Sequence, residues 1–211
     1  MRERLGSVIA DAGTMTHMTV RETITDAGGD IAALVYTGED RPDLVLCAFA
    51  RHLADASRRV CGLIQFRDRP LDGSACRLMV LEGWHVVEIA RQHDGVEDHH
   101  CRLDAQWLDR IGTEVKASIR RGTDAVIVNR FGPLEAAGRG FCDAILTASE
   151  TETPLVIAVP VFEFERWTRF SGGMAVRLDC SLERVQHWWR TVSSRAPSLP
   201  ACDTRACALF K

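Results

Sequence analysis

The chain has 211 residues, of which 46% are hydrophobic and 26% charged, with a formal net charge of −3. That is enough apolar material for one folded domain with modest tails, and it excludes wholesale disorder. The mild acidity excludes a broad nucleic-acid-binding face, and no apolar run approaches the roughly 20 residues that a membrane-crossing helix needs.

Residues 1–30 are rich in Thr, Gly, Asp and Met and end in Gly28-Gly29, so they read as a flexible N-terminal extension. Arg2 and Arg4 precede an apolar stretch that Gly6, Ser7 and Asp11 interrupt, which predicts no export signal and a cytoplasmic location. A domain over 31–192 follows. Ile31–Tyr36 is a continuous apolar run, as expected of a strand covered on both faces. A helix comes next, with Asp40 as its cap and Pro42 in its first turn, and with Leu46, Phe49, Ala50 and Leu53 on one face. Val60–Phe66 reads as a strand, and Cys76–Leu81 with His85–Ala90 as a hairpin around Glu82-Gly83-Trp84.

Asp104–Arg120 has helical spacing and buries Trp107, Leu108, Ile111 and Val115. Then come a strand at Asp124–Asn129, a short helix at Phe141–Ala148 and a strand at Leu155–Val159. A helix at Leu182–Val192 carries Val185, Trp188, Trp189 and Val192, with one indole buried and the other partly exposed. Residues 193–211 form a C-terminal tail punctuated by Pro197 and Pro200. Apolar strands alternating with amphipathic helices predict a three-layer α/β domain with a mostly parallel sheet, to which the hairpin adds an antiparallel part.

Ligands of such sheets bind beyond the carboxyl ends of the strands, which selects the loops after Tyr36, Asn129 and Val159. A phosphate cradle in the first loop would need several glycines and a Lys-Ser/Thr pair, so that backbone N–H groups and one cation meet the anion. Tyr36-Thr-Gly-Glu-Asp-Arg-Pro-Asp43 offers Gly38 alone, no lysine, and two carboxylates where an anion would sit. The second loop, Asn129-Arg-Phe-Gly-Pro-Leu-Glu-Ala-Ala-Gly-Arg-Gly140, is denser in functional residue types.

That run resembles the Walker B region of P-loop nucleoside triphosphatases. More closely, it resembles a bacterial domain-of-unknown-function family related to them, whose members are often labelled molybdenum ABC-transporter ATP-binding proteins. The order of Val60-Cys-Gly-Leu-Ile-Gln65, Cys76-Arg-Leu-Met-Val-Leu81, Cys101-Arg-Leu-Asp104, Phe170-Ser-Gly-Gly173 and Trp188-Trp189 is similar too. The resemblance implies P-loop-like topology and a link to molybdenum transport or molybdoenzyme components.

It also exposes a departure. Where the triphosphatases hold magnesium with an aspartate and orient water with a glutamate, this chain has Asn129 and Arg130. Neither binds magnesium as a carboxylate does, and an arginine stays protonated. ATP hydrolysis by the usual magnesium route is therefore not expected, and no catalytic residue is assigned. Arg130 and Arg139 flank Gly132, Gly138 and Gly140, so guanidinium groups and backbone N–H donors would converge on a small anionic ligand, a nucleotide or molybdate. Tyr36 and Gly38 would line the same edge, Asn129 would donate a hydrogen bond and Glu135 would orient an arginine. The bland alternative is that Arg130 pairs with Glu135 and the glycines serve a tight loop.

Of the eight cysteines, Cys47, Cys61 and Cys142 lie in apolar segments and behave as small hydrophobes, and no CxxC pair occurs. Cys76, Cys101 and His99 form a candidate metal or redox set, against the alternative of a polar loop with incidental histidines. The first functional reading is a non-hydrolysing nucleotide- or oxyanion-binding accessory protein. The others are a triphosphatase or phosphotransferase with atypical motifs, and a Cys/His metal- or redox-sensing module.

Overall fold

The computed structural model describes residues 29–66, 75–90 and 105–195. The expectations for both chain-terminal segments and for Cys101 and His99 lie outside the described residues. The elements run β1 (Ile31–Tyr36), α1 (Pro42–Asp55), β2 (Val60–Gln65), β3 (Ala75–Val80), β4 (His85–Ala90), α2 (Ala105–Arg120) and β5 (Ala125–Asn129). They continue through α3 (Pro133–Ala136), α4 (Cys142–Glu150), β6 (Leu155–Pro160), α5 (Phe164–Phe170), β7 (Val176–Asp179) and α6 (Leu182–Ser193). One seven-stranded sheet has the order β4-β3-β2-β5-β6-β1-β7. The ladders β2·β5, β5·β6, β6·β1 and β1·β7 are parallel, and β3 and β4 are antiparallel. This is the three-layer, P-loop-triphosphatase-like α/β fold with a β-hairpin that the sequence implies.

β1 and β6 are apolar along their whole length, and β5 is apolar up to Asn129, because helices cover both faces. Alternate residues then divide between two cores. Ala33, Val35, Val126, Val128, Leu155, Ile157 and Val159 face α2, α4 and α5. Ala32, Leu34, Ile127, Val156 and Ala158 face α1 and α6, where Phe49 and Trp189 meet edge to face with ring centroids 6.1 Å apart. Gly62 in the middle of β2 has φ 128, and a Cβ there would collide with the Ile127 carbonyl, so this pair of strands tolerates only glycine.

Three local expectations are corrected. The cap position of α1 is Arg41, with no side-chain cap hydrogen bond, and Asp40 instead accepts the Thr37 N–H and hydroxyl at 2.7 and 2.8 Å. Asp40 stands one residue before the cap position, so its carboxylate closes a turn with Thr37 instead of capping the helix. Both Trp188 and Trp189 are buried, since α6 packs on the sheet and on α1 at once, and the Trp188 indole donates to the Gly29 carbonyl at 3.0 Å. Trp107 and Ile111 on α2 are only partly buried, whereas Gly112, Ser118 and Ile119 join Leu108 and Val115 in the buried stripe.

Candidate functional site

Topology fixes where a ligand has room. From β1 the chain crosses through α1, on one face, to β2, three positions along the sheet. From β6 it passes through α5, on the other face, over β1 to β7. Neighbouring β1 and β6 therefore send their chains to opposite faces and in opposite directions, which parts the loops at their carboxyl ends. The register places Tyr36 beside Pro160 at this switch point, and β5 ends at Asn129 one strand away.

The first loop is small and self-contained. Thr37, Gly38 and Glu39 are exposed, and the Thr37–Asp40 turn holds them. The hydrogen bonds from Thr37 keep the Asp40 carboxyl below the ordinary aspartate range, so this loop carries negative charge at neutral pH. A Cβ on Gly38 would meet no atom, so its backbone is open to an incoming group. Arg41 forks onto the buried Asp43 at 3.1 and 2.9 Å, a pair that the Arg-Pro-Asp spacing allows. Behind the loop, burial and the charges of Asp40 and Asp43 push the Cys180 thiol up to about 11, so it is a neutral thiol.

The second loop is built around two carboxylates. Asn129 is buried, and its amide donates to the Gln65 carbonyl at 2.9 Å, stitching the end of β5 to the end of β2. Phe131 is fully buried against Trp167, 5.1 Å between centroids, and its N–H donates to the Ala158 carbonyl. Gly132 begins α3, and its N–H donates to Glu135 Oε2 at 3.0 Å. Glu135 Oε1 accepts the Phe141 N–H at 3.3 Å. Burial raises the Glu135 carboxyl above the ordinary range; these backbone donors and then the Arg130 charge act against that rise. Asp109, on α2, completes the clamp: Oδ1 accepts the Gly140 N–H and Oδ2 pairs with Arg139, both at 2.7 Å. No spacing signal in the sequence connects Asp109 to a loop some thirty residues later.

The N–H groups of Gly138, Arg139, Gly140, Phe141 and Cys142 thus all donate within the protein. Gly138 and Gly140 have φ 78 and 58, and a Cβ on Gly140 would stand 2.5 Å from Glu135 Oε1. Arg139 is paired with Asp109, while Arg130, half-buried, has no hydrogen bond or ion pair among the described residues. The pairing of Arg130 with Glu135 does not form, because backbone donors occupy both Glu135 oxygens. The carboxyl edge accordingly carries the open backbone of Gly38 near Tyr36 at the end of β1, and Arg130 at the end of β5, with Asn129, Gly132, Glu135, Gly138 and Arg139 as the internally bonded scaffold of the second loop.

After β6 the chain forms a tight turn in which Val161 and Phe162 are 49% and 71% exposed. Glu163 pairs with Arg166 at 2.9 Å, and Trp167 belongs to the core rather than to this edge. Cys76 is disulfide-bonded, whereas Cys47, Cys61, Cys142 and Cys180 are free. Among the described residues no group of three or more His, Cys, Asp or Glu side chains could hold a metal ion, and no helix is long and apolar enough to cross a membrane.

Comparison with known proteins agrees with this architecture. The molybdenum import ATP-binding protein ModC 2 of Bradyrhizobium diazoefficiens is 32% identical to the chain over 172 residues. That similarity covers 78% of this chain but 18% of the relative, so the chain matches a small part of that longer protein. No solved structure matches. The family of proteins of unknown function DUF2478 matches residues 31–188, the whole of the sheet and nearly all of its helices, and the chain belongs to that family.

Proposed function

We propose that the protein binds a nucleotide or a tetrahedral oxyanion at the switch-point edge without hydrolysing it, as an accessory component of molybdenum uptake or use. One observation carries the reading. At the end of β5 an amide, Asn129, is committed to the Gln65 carbonyl, and beside it stands the uncommitted cation Arg130. A magnesium-binding acid is missing there, and the loop after β1 has no lysine and bears negative charge at Asp40. Those are the groups that phosphoryl transfer needs and a binding site does not.

Arg130 supplies the long-range attraction, and the open backbone at Gly38 supplies a close approach. The relative's name suggests molybdate or a nucleotide as ligand, and a molybdenum-import ATPase as partner. Thermal melting with molybdate, tungstate, phosphate and ATP–magnesium tests the reading, because a ligand that binds only the native state raises the midpoint by mass action. The expected outcome is that one of these ligands raises the midpoint of the native protein and that Arg130→Ala abolishes the rise. A rise that survives Arg130→Ala overturns the site, and steady phosphate release at ordinary enzymatic rates, about 1 per second or faster, overturns the non-hydrolysing role.

A further inference from the structure

Over residues 138–142 five successive N–H groups find acceptors, and four of those acceptors belong to the same loop. The fifth N–H, on Gly140, donates to Asp109 Oδ1 on α2 at 2.7 Å. The other oxygen of that carboxylate, Oδ2, takes the Arg139 guanidinium, also at 2.7 Å. Gly140 is buried, so its amide requires an acceptor from somewhere. The side chains of Arg139 and Asp109 stay in touch with water, 49% and 39% exposed.

A backbone amide and a guanidinium that converge on one pair of oxygens make the donor set with which proteins hold an oxyanion. Here the pair of oxygens is the chain's own, brought in from another element. A tetrahedral dianion presents a similar pair and carries more charge. There is room beside it: Gly138 is exposed, and a Cβ there would meet no atom within 4 Å. The neighbouring acids are engaged, Glu135 by the amides of Gly132 and Phe141 and Asp143 by Lys116 at 2.6 Å. An exposed ion pair is held weakly, because water screens it and both side chains gain freedom on parting. Asp109 can therefore give way to a stronger anion, as the buried Glu135 cannot.

We infer that Asp109 is the resident occupant of an anion site formed by the Arg139 guanidinium and the Gly140 N–H, and that a tetrahedral dianion of the phosphate class binds there by displacing it. The protein's own carboxylate thus keeps the site shut. Apparent affinity for the anion falls with the fraction of molecules in which Asp109 has swung away. That movement leaves α2 in place, since Leu108, Gly112, Val115 and Ile119 hold the helix from its buried side. The site makes no use of Arg130 and does not depend on the reading of the switch-point edge.

The test is made in the Arg130→Ala background, so that the two anion readings stand or fall separately. Inorganic phosphate is titrated against the melting midpoint of the full chain, with sodium chloride at matched ionic strength as the control. Asp109→Ala frees both donors and is expected to tighten apparent phosphate binding about fivefold or more. Adding Arg139→Ala is expected to remove that gain. Asp143→Asn, which deletes a nearby charge outside the cradle, is expected to give no such gain. Should Asp109→Ala fail to fold, Asp109→Asn keeps a carbonyl for the Gly140 N–H, gives up the charge and shifts binding in the same direction. Equal phosphate affinity with and without the Asp109 carboxylate overturns the inference. So does a gain that survives Arg139→Ala, or one that Asp143→Asn reproduces.

Discussion

The loops after β1 and β5 lie one strand apart at the same end of the sheet, yet they are built on opposite plans. The loop after β5 has the glycines and arginines of an anion cradle, and it uses most of them on itself. Glu135 and Asp109 accept N–H groups from Gly132, Gly140 and Phe141, and Asp109 also holds Arg139. The loop after β1 has one glycine and two carboxylates, but its single Thr37–Asp40 turn leaves Gly38 facing open space. Glycine-rich sequence thus marks a loop with demanding backbone geometry, whereas the open backbone lies in the plainer loop. Arg130, beside Asn129 at the end of β5, has no hydrogen bond or ion pair among the described residues.

The sharpest way to break this contrast is at Glu135. Glu135→Ala strands the amides of Gly132 and Phe141, which in a buried loop costs about 2–4 kcal/mol, read as a lower denaturant midpoint at constant slope. A loss below about 1 kcal/mol would mean that the carboxylate is not the clamp described here. Next in size, Gly140→Ala forces a side chain onto φ 58 and against Glu135 Oε1, a cost of about 1–3 kcal/mol. Gly38→Ala, with nothing in its way, changes stability by no more than about 0.5 kcal/mol. Equal effects at the two glycines would erase the distinction between the loops.

The smallest effect is the most diagnostic of electrostatics. The side-chain hydrogen bond from Arg139 and then the backbone N–H of Gly140 hold the Asp109 carboxyl below its ordinary range. A depressed carboxyl contributes stability that is present above its unfolded pKa and lost as pH falls through the folded value. Glu135 and Glu82 act with the opposite sign: burial raises both, so their contribution is full below the unfolded pKa and fades as pH rises through the folded one. Melting curves of native protein and Asp109→Asn should therefore differ at pH 7 and converge as the pH approaches 3. A gap that stays constant across that range removes Asp109 from the clamp.

The sheet was legible in the sequence because burial on both faces writes itself as unbroken apolar runs: Ile31–Tyr36 and Leu155 onward could hardly be anything else. The hairpin was legible from its turn residues and alternation. α5, with seven residues, and β7, with Leu178 as its buried position, carry too little periodicity to stand out from a loop. The candidate site was half legible. Its residue types and the edge they occupy follow from the order of elements. Their division into open and committed groups depends on Asp109 and on the Gln65 carbonyl, partners supplied by other elements through the fold and not by local spacing.

The bond from Trp188 to the Gly29 carbonyl has a consequence for how this unit can be used. It fastens the last helix to the residue just before the first strand, and the Asp30 carboxyl feels the charge of Arg195 at the far end of the described chain. Entrance and exit are neighbours. A unit wired in this way can be spliced into the middle of a host polypeptide, or joined to one at either end, without opening its sheet.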